Sequence, residues 1–151
     1  MLEEIFILLI IYQFKHFFAD FPLQGKYMLK KFEDGWSFVL PLAVHAGVHA
    51  GFTFVIVFVF TRSIAFALML SLFDFSIHFT MNRIKAGKKY LGRWKALTGK
   101  EFPTASDEAK RGNTYFWWSL GFDQMVHHLT HYTIIFCIVT YNAAMAYLVV
   151  S

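Results

Sequence analysis

Residues 38–60 read FVLPLAVHAGVHAGFTFVIVFVF, a mainly apolar run of the length that crosses a lipid bilayer. Pro41 falls in its first turn, where a helix tolerates proline. His45, His49 and Thr53 follow one another at steps of four, so they share one helix face. The stretch therefore predicts a membrane helix that is apolar except for one polar stripe.

Three further stretches have the same character, at residues 2–21, 64–84 and 115–139. The chain is 57% hydrophobic and 20% aromatic, and only 16% of its residues are charged, whereas a soluble domain has about 25%. We therefore predict an all-α integral membrane four-helix bundle that forms a single domain over residues 1–151. Residues 140–151 are apolar too, and they either continue the fourth helix or fold back along the membrane surface.

Basic residues concentrate in two connections, residues 25–37 and 85–114. Both connections lie on the same side if all four helices span the membrane, and the positive-inside rule places that side in the cytoplasm. We expect an inner or plasma membrane protein with both termini outside and a basic cytoplasmic loop at 85–114. The aromatic residues do not interleave with the basic ones, so nucleic acid is not an expected partner.

Each predicted helix carries one polar stripe at steps of three or four residues. Ionisable groups inside a membrane are costly and usually functional, so we expect the four stripes to face one another in the bundle interior. By the predicted topology, all of them lie in the cytoplasmic half of the membrane. The stripes are Tyr12, His16, Asp20 and Gln24; His45, His49 and Thr53; Ser71, Asp74, His78 and Asn82; and Asp123, His127 and His131.

Imidazole and carboxylate groups without sulfur suit zinc, manganese or iron. The number of candidates fits one or two divalent ions, with zinc as the first expectation. A proton pathway and a purely structural polar network stay open as alternatives. The expected ligands are His16, Asp20, His45, His49, Asp74, His78, Asp123, His127 and His131.

Three motifs give the chain a family resemblance. They are His16-Phe-Phe-Ala-Asp20-Phe-Pro-Leu-Gln24, His45-Ala-Gly-Val-His49, and Asp123-Gln124-Met-Val-His127 followed by His131. The set resembles a small phage and bacterial membrane-protein family catalogued as the domain of unknown function numbered 3307. A further motif departs from it, because His78 is followed by Asn82 and Lys85 where the family has His, Asp and Lys. The resemblance implies a compact helical membrane protein with the same polar residues, and it implies no reaction.

The first functional expectation is a metal-dependent hydrolase that acts on a lipid-like or membrane-attached substrate from the cytoplasmic side. Asp20, Asp123 and Gln124 are its expected catalytic residues. The alternatives are a di-iron membrane oxygenase, a non-enzymatic metal or proton carrier, and a phage membrane interaction protein. The residues expected to meet substrate or an anionic headgroup are Gln24, Asn82, Lys85 and His128.

Overall fold

The computed structural model describes residues 2–33, 35–87, 89–94, 104–111 and 114–150. This part of the chain is all-α, as predicted, and contains no strand. Short 3-10 helices cover Met28–Phe32 and Leu91–Trp94. The α-helices are α1 (Leu2–Asp20), α2 (Val39–Thr61), α3 (Ile64–Ala86), α4 (Asp107–Arg111) and α5 (Thr114–Val150).

The predicted boundaries of the first three helices agree with the structure to within two residues, but α5 is longer than predicted. It runs on to Val150, so the apolar tail continues the helix and does not fold back. No glycine or proline interrupts residues 140–150, and Asn142 fixes this part to its neighbours. The Asn142 side chain donates to Glu4 Oε1 at 2.7 Å and to the Phe60 carbonyl at 3.2 Å.

The predicted loop 85–114 contains the short helix α4, with Asp107 and Glu108 in its first turn. Residues 88, 95–103 and 112–113 of that loop are outside the described residues.

The helices α2 and α3 form an antiparallel hairpin, the most extensive helix pair in the described structure. Arg62 ends α2 in the left-handed conformation, with φ 56°, and its N–H donates to the Phe58 carbonyl at 2.8 Å. The Ser63 hydroxyl then caps α3 by accepting from the Phe66 N–H at 3.3 Å. This tight reversal sets the polar stripe of α2 against the polar stripe of α3.

The interior between the long helices changes character along its length. At the end nearest the α2–α3 turn the buried side chains are apolar: Leu8, Tyr12, Ile56, Val57, Ala67, Leu70, Ile134, Ile135 and Ile138. At the other end they are polar or charged, and include Lys15, His16, Lys31, His45, His49, Thr53, Ser71, Asp74, His78, Asn82, Asp123, His127 and His131. The helices alternate in direction, so the polar half of each one reaches the same end.

In the part of the chain that the structure describes, three segments are long and apolar enough to cross a membrane. They are Val39–Thr61, Ile64–Arg93 and Phe116–Leu148. The shorter α1 is not among them, because four charged residues reduce its apolar character: Glu3, Glu4, Lys15 and Asp20.

Candidate metal centre

Six of the seven histidines meet in the polar half of the bundle. The rings of His49, His78 and His127 form a stack, with centroid separations of 3.8 Å from His49 to His78 and 4.2 Å from His78 to His127. His45 lies 5.0 Å from His49, and His16 lies 5.7 Å from His127. The steps of four in the sequence thus place imidazoles from all four long helices in one cluster.

The Asp20 carboxylate is the point where several of these rings converge. Its Oδ2 lies 3.2 Å from His16 Nε2, and its Oδ1 lies 3.4 Å from His45 Nε2 and 3.3 Å from His49 Nε2. Two ligand atoms, each about 2.1 Å from one tetrahedral ion, are separated by about 3.4 Å. These contacts therefore have the spacing of ligand atoms around a single ion.

Four groups of His and Asp side chains bring three ligand atoms within 4.8 Å of one another. Their members are His16, His49 and His78; His16, Asp20 and His127; Asp20, His45 and His49; and Asp74, His78 and His131. Three of the four groups share residues around Asp20, and the last is centred on Asp74.

His78 is oriented by Asp74, the residue one turn earlier on the same helix. Its Nδ1–H donates to the Asp74 carbonyl at 3.0 Å and lies 3.1 Å from Asp74 Oδ1. This assignment leaves His78 Nε2 as the free acceptor nitrogen, buried and without a hydrogen bond to any described residue. Metal-binding histidines usually have their second nitrogen held in this way, which fixes the ring and its tautomer.

Lys15 occupies the group around Asp74. Its Nζ donates to Asp74 Oδ2 at 2.9 Å and to His131 Nε2 at 3.1 Å, and the side chain is buried. Thr53 donates to the same carboxylate oxygen at 2.8 Å. An ammonium therefore already stands between two members of this group, and His131, an expected ligand, has its Nε2 engaged by the lysine.

Asp123 is held by a second lysine. Lys85 Nζ donates to Asp123 Oδ2 at 2.6 Å, so this lysine bonds a buried carboxylate instead of extending into the loop. His127 Nε2 lies 3.9 Å from the other oxygen, Asp123 Oδ1. Gln124 links the parts: its Nε2 donates to Asp123 Oδ2 at 3.2 Å, and its Oε1 accepts from His16 Nε2–H at 2.8 Å.

The remaining expected substrate residues lie at the edges of the cluster. Gln24 and Asn82 both accept hydrogen bonds from Lys31, and Asn82 also donates to the His78 carbonyl at 3.0 Å. His128 is half-buried, with its ring 5.4 Å from that of His16.

Many buried polar atoms of the cluster make no hydrogen bond within the described part of the chain. Unpaired buried polar atoms are rare in native proteins, and each one needs a reason. A dense set of unpaired imidazole nitrogens fits a group of ligands whose ion would use them. These nitrogens are His16 Nδ1, both nitrogens of His45, His49 Nδ1, His78 Nε2, both nitrogens of His127, and His131 Nδ1.

Two lysines of the site, Lys15 and Lys31, were not expected from the sequence. A signal for Lys15 does exist: it is a charged residue inside an apolar helix, one position before His16, and such residues mark functional sites. Lys31 has no such signal, because it stands among three lysines of a connection that the positive-inside rule already explains.

The family comparison extends over nearly the whole chain. The family model described as "Protein of unknown function (DUF3307)" matches residues 5–151. None of the curated proteins or solved structures compared with the chain matches it significantly. The family resemblance drawn from the motifs is thereby confirmed. The chain belongs to this uncharacterised family.

Proposed function

We propose that this chain is an integral membrane four-helix bundle that holds one divalent metal ion at Asp20 and acts as a metal-dependent hydrolase. Zinc is the preferred ion, with manganese or iron as alternatives, because the ligands are imidazoles and a carboxylate. The substrate is lipid-like or membrane-attached and approaches from the cytoplasmic side.

The spacing around Asp20 is the observation that carries the proposal. Three imidazole nitrogens lie 3.2–3.4 Å from its two oxygens, and His127 completes a further ligand group with His16 and Asp20. Asp20 has no lysine within 4.0 Å among the described residues, unlike the other two carboxylates of the interior. Its negative charge is therefore available to a metal ion.

A single ion fits the charge pattern better than two. Two-metal sites in helix bundles use several carboxylates as bridging ligands. Lys15 holds Asp74 and Lys85 holds Asp123, so Asp20 is the one interior aspartate without a lysine partner in the described structure. This distribution favours the hydrolase over the di-iron oxygenase.

A hydrolase would use both the metal ion and the polar side chains around its ligands. A divalent ion at Asp20 would activate water and polarise a carbonyl or phosphoryl oxygen. Gln124, bonded to both His16 and Asp123, would orient those groups toward the reacting centre. The apolar exterior of α2, α3 and α5 favours a substrate that shares the bilayer with the protein.

The proposed topology has α1, α2, α3 and α5 crossing the membrane, both termini outside and the basic connections in the cytoplasm. Single cysteines at Lys30 and Ser151, introduced after Cys137→Ser, would test it in intact cells. A membrane-impermeant maleimide should label position 151 and leave position 30 unlabelled until the cells are opened. The reverse pattern would invert the topology and put the metal centre on the outer side.

The metal is tested by elemental analysis of protein purified in mild detergent without chelator. We expect about one equivalent of zinc, manganese or iron in the wild type, and its loss in the His45→Ala, His49→Ala double variant. His128→Ala, at the edge of the cluster, is the matched control and should keep its metal. Wild-type protein without stoichiometric metal would refute the proposal.

Lys15 supports one competing function, a proton or cation carrier. Its buried ammonium stands between Asp74 and His131, an arrangement typical of intramembrane charge relays. Proteoliposomes under a zinc or proton gradient would separate the two functions, because a hydrolase should show no flux and a carrier should lose its flux in Lys15→Met.

A further inference from the structure

Lys31 lies in the 3-10 helix between α1 and α2, yet its side chain points inward. It is 2% exposed, while the neighbouring Lys30 is exposed. Its ammonium donates to Gln24 Oε1 at 2.7 Å and to Asn82 Oδ1 at 3.2 Å. An ammonium has three donors, of which these contacts use two, and the centroid of the Phe32 ring lies 5.6 Å from the Nζ.

The partners of Lys31 separate it from the other two lysines of the interior. Lys15 and Lys85 each bond an aspartate, whereas no carboxylate of the described residues lies within 4.0 Å of Lys31 Nζ. Two neutral amide oxygens are weak compensation for a buried charge. Within the described part of the chain, Lys31 therefore lacks a counter-ion.

Lys31 also responds to the charge of Lys85, the lysine that bonds Asp123. Burial, and after it the charge of Lys85, lower the pKa of Lys31 to about 8, while Asp20 and Asp123 act in the opposite direction. At pH 7 Lys31 therefore still carries its charge for most of the time. Two cations, one of them without a carboxylate partner, stand at the end of the cluster.

The net charge of the interior also favours an anionic ligand near Lys31. The three aspartates and three lysines of the polar half cancel: Asp20, Asp74 and Asp123 against Lys15, Lys31 and Lys85. A divalent ion at Asp20 would leave two positive charges without a counter-ion in a medium of low dielectric. A phosphate group carries about two negative charges near neutral pH and would restore the balance.

We propose that Lys31, with Gln24, Asn82 and Lys85, forms a subsite for a phosphate group beside the Asp20 cluster. Lysine is a common phosphate ligand that acts as a point charge. Asn82 ties the subsite to the histidine cluster, since it bonds both Lys31 and the His78 carbonyl. The subsite rests on the proposed metal and names the substrate of that site as a phosphate-bearing molecule, either a lipid headgroup or a soluble phosphate.

The test compares Lys31→Met with Lys30→Met, which removes the same charge from the exposed neighbour. Calorimetry with inorganic phosphate and native mass spectrometry with short-chain phosphatidic acid are run on metal-loaded protein in detergent. We expect binding of at least one probe by the wild type and by Lys30→Met, and at least about tenfold weaker binding by Lys31→Met, the loss typical of a charged contact.

The two probes distinguish the two sources. Binding of phosphatidic acid without binding of inorganic phosphate assigns the subsite to a lipid headgroup, and comparable affinities assign it to soluble phosphate. Equal binding by Lys31→Met and the wild type, or no binding of either probe by the wild type, overturns the subsite. If Lys31→Met does not fold, Lys31→Gln replaces it, because glutamine removes the charge and keeps a hydrogen-bond donor.

Elemental analysis of the same samples keeps this subsite separate from the metal proposal. Lys31→Met should retain the metal, because none of its contacts is to Asp20 or to a histidine side chain. Wild-type protein that binds phosphate but takes up no metal would refute the metal centre and the charge argument that rests on it, and would leave Lys31 as a phosphate-binding residue. Wild-type protein that contains the metal but binds neither probe would refute the subsite and support the metal centre.

Discussion

Asp20 and Asp74 lie in the same polar half of the bundle, each on a helix with a histidine four residues away, yet their surroundings differ. Asp20 faces three imidazoles, from His16, His45 and His49. Asp74 faces the Lys15 ammonium as well as the hydroxyl of Thr53. An imidazole can release its proton and bind a metal, whereas an ammonium is itself the cation. Lys15 thus forms an ion pair with Asp74, and its ammonium occupies the position that a metal ion would take.

The largest difference between the two carboxylates should appear in metal affinity. Asp20→Asn removes the charge shared by two ligand groups, so we expect the metal affinity to fall by more than about 100-fold. Asp74→Asn keeps the backbone carbonyl that accepts from His78 and removes only the carboxylate charge beside that ring, so its loss should not exceed the roughly 10–100-fold typical of a lost supporting partner. Competition with a chromophoric zinc chelator measures both affinities in the same detergent.

Asp107→Asn is the matched control, because Asp107 lies in α4 with its side chain 77% exposed. The metal affinity of Asp107→Asn should equal that of the wild type. A larger loss for Asp74→Asn than for Asp20→Asn would move the metal centre to the Asp74 group and contradict the assignment.

The second difference should appear in the free energy of unfolding. Here Asp74→Asn should be more damaging than Asp20→Asn, the opposite of their order in metal affinity. Asp74→Asn leaves the Lys15 ammonium buried without its carboxylate, and breaking a buried pair in this way costs about 3–5 kcal/mol. Metal-free Asp20→Asn should lose less, because no lysine of the described residues lies within 4.0 Å of Asp20 and its side chain is 16% exposed. Thermal unfolding of the metal-free variants in one detergent measures the order.

The double variant Lys15→Met, Asp74→Asn identifies the cause of that loss. It removes both charges, so it should recover much of the stability that Asp74→Asn loses. If the double variant is as unstable as the sum of its single changes, the two side chains do not act as a pair.

Helix positions and the membership of the cluster could be predicted from the sequence, because both depend on periodicity. Apolar runs of membrane length set α1, α2 and α3 to within two residues, and steps of four set which side chains face inward. The end of α5 could not be predicted in this way, because an apolar tail is compatible with both a continued helix and a segment along the membrane surface.

The pairing of charges could not be predicted, because it depends on which side chains stand opposite one another in three dimensions. Lys85 was expected to meet substrate, and the sequence did not predict that it also bonds Asp123. His131 was expected to be a ligand, and Lys15 occupies its Nε2. The reach of a lysine side chain spans more than one helical turn, so spacing along the chain does not identify its partner.

The smallest expected effect is the gain of a second, weak metal site at the Asp74 group. Asp74, His78 and His131 have ligand atoms within 4.8 Å of one another, the same closeness as the groups around Asp20. Lys15→Ala removes the ammonium that stands among them. We expect this variant to bind a second, weaker equivalent of zinc, because the carboxylate then lacks a counter-ion.

Elemental analysis of zinc-saturated protein measures the second equivalent, and thermal unfolding at increasing zinc concentration measures its affinity, since a ligand at 100 times its Kd stabilises by about 2.7 kcal/mol. Lys15→Arg keeps a cation at this position and should stay at one equivalent. If Lys15→Ala also stays at one, then the geometry of the Asp74 group, and not the lysine, excludes the metal. The difference between the two carboxylates would then depend on more than the charge opposite them.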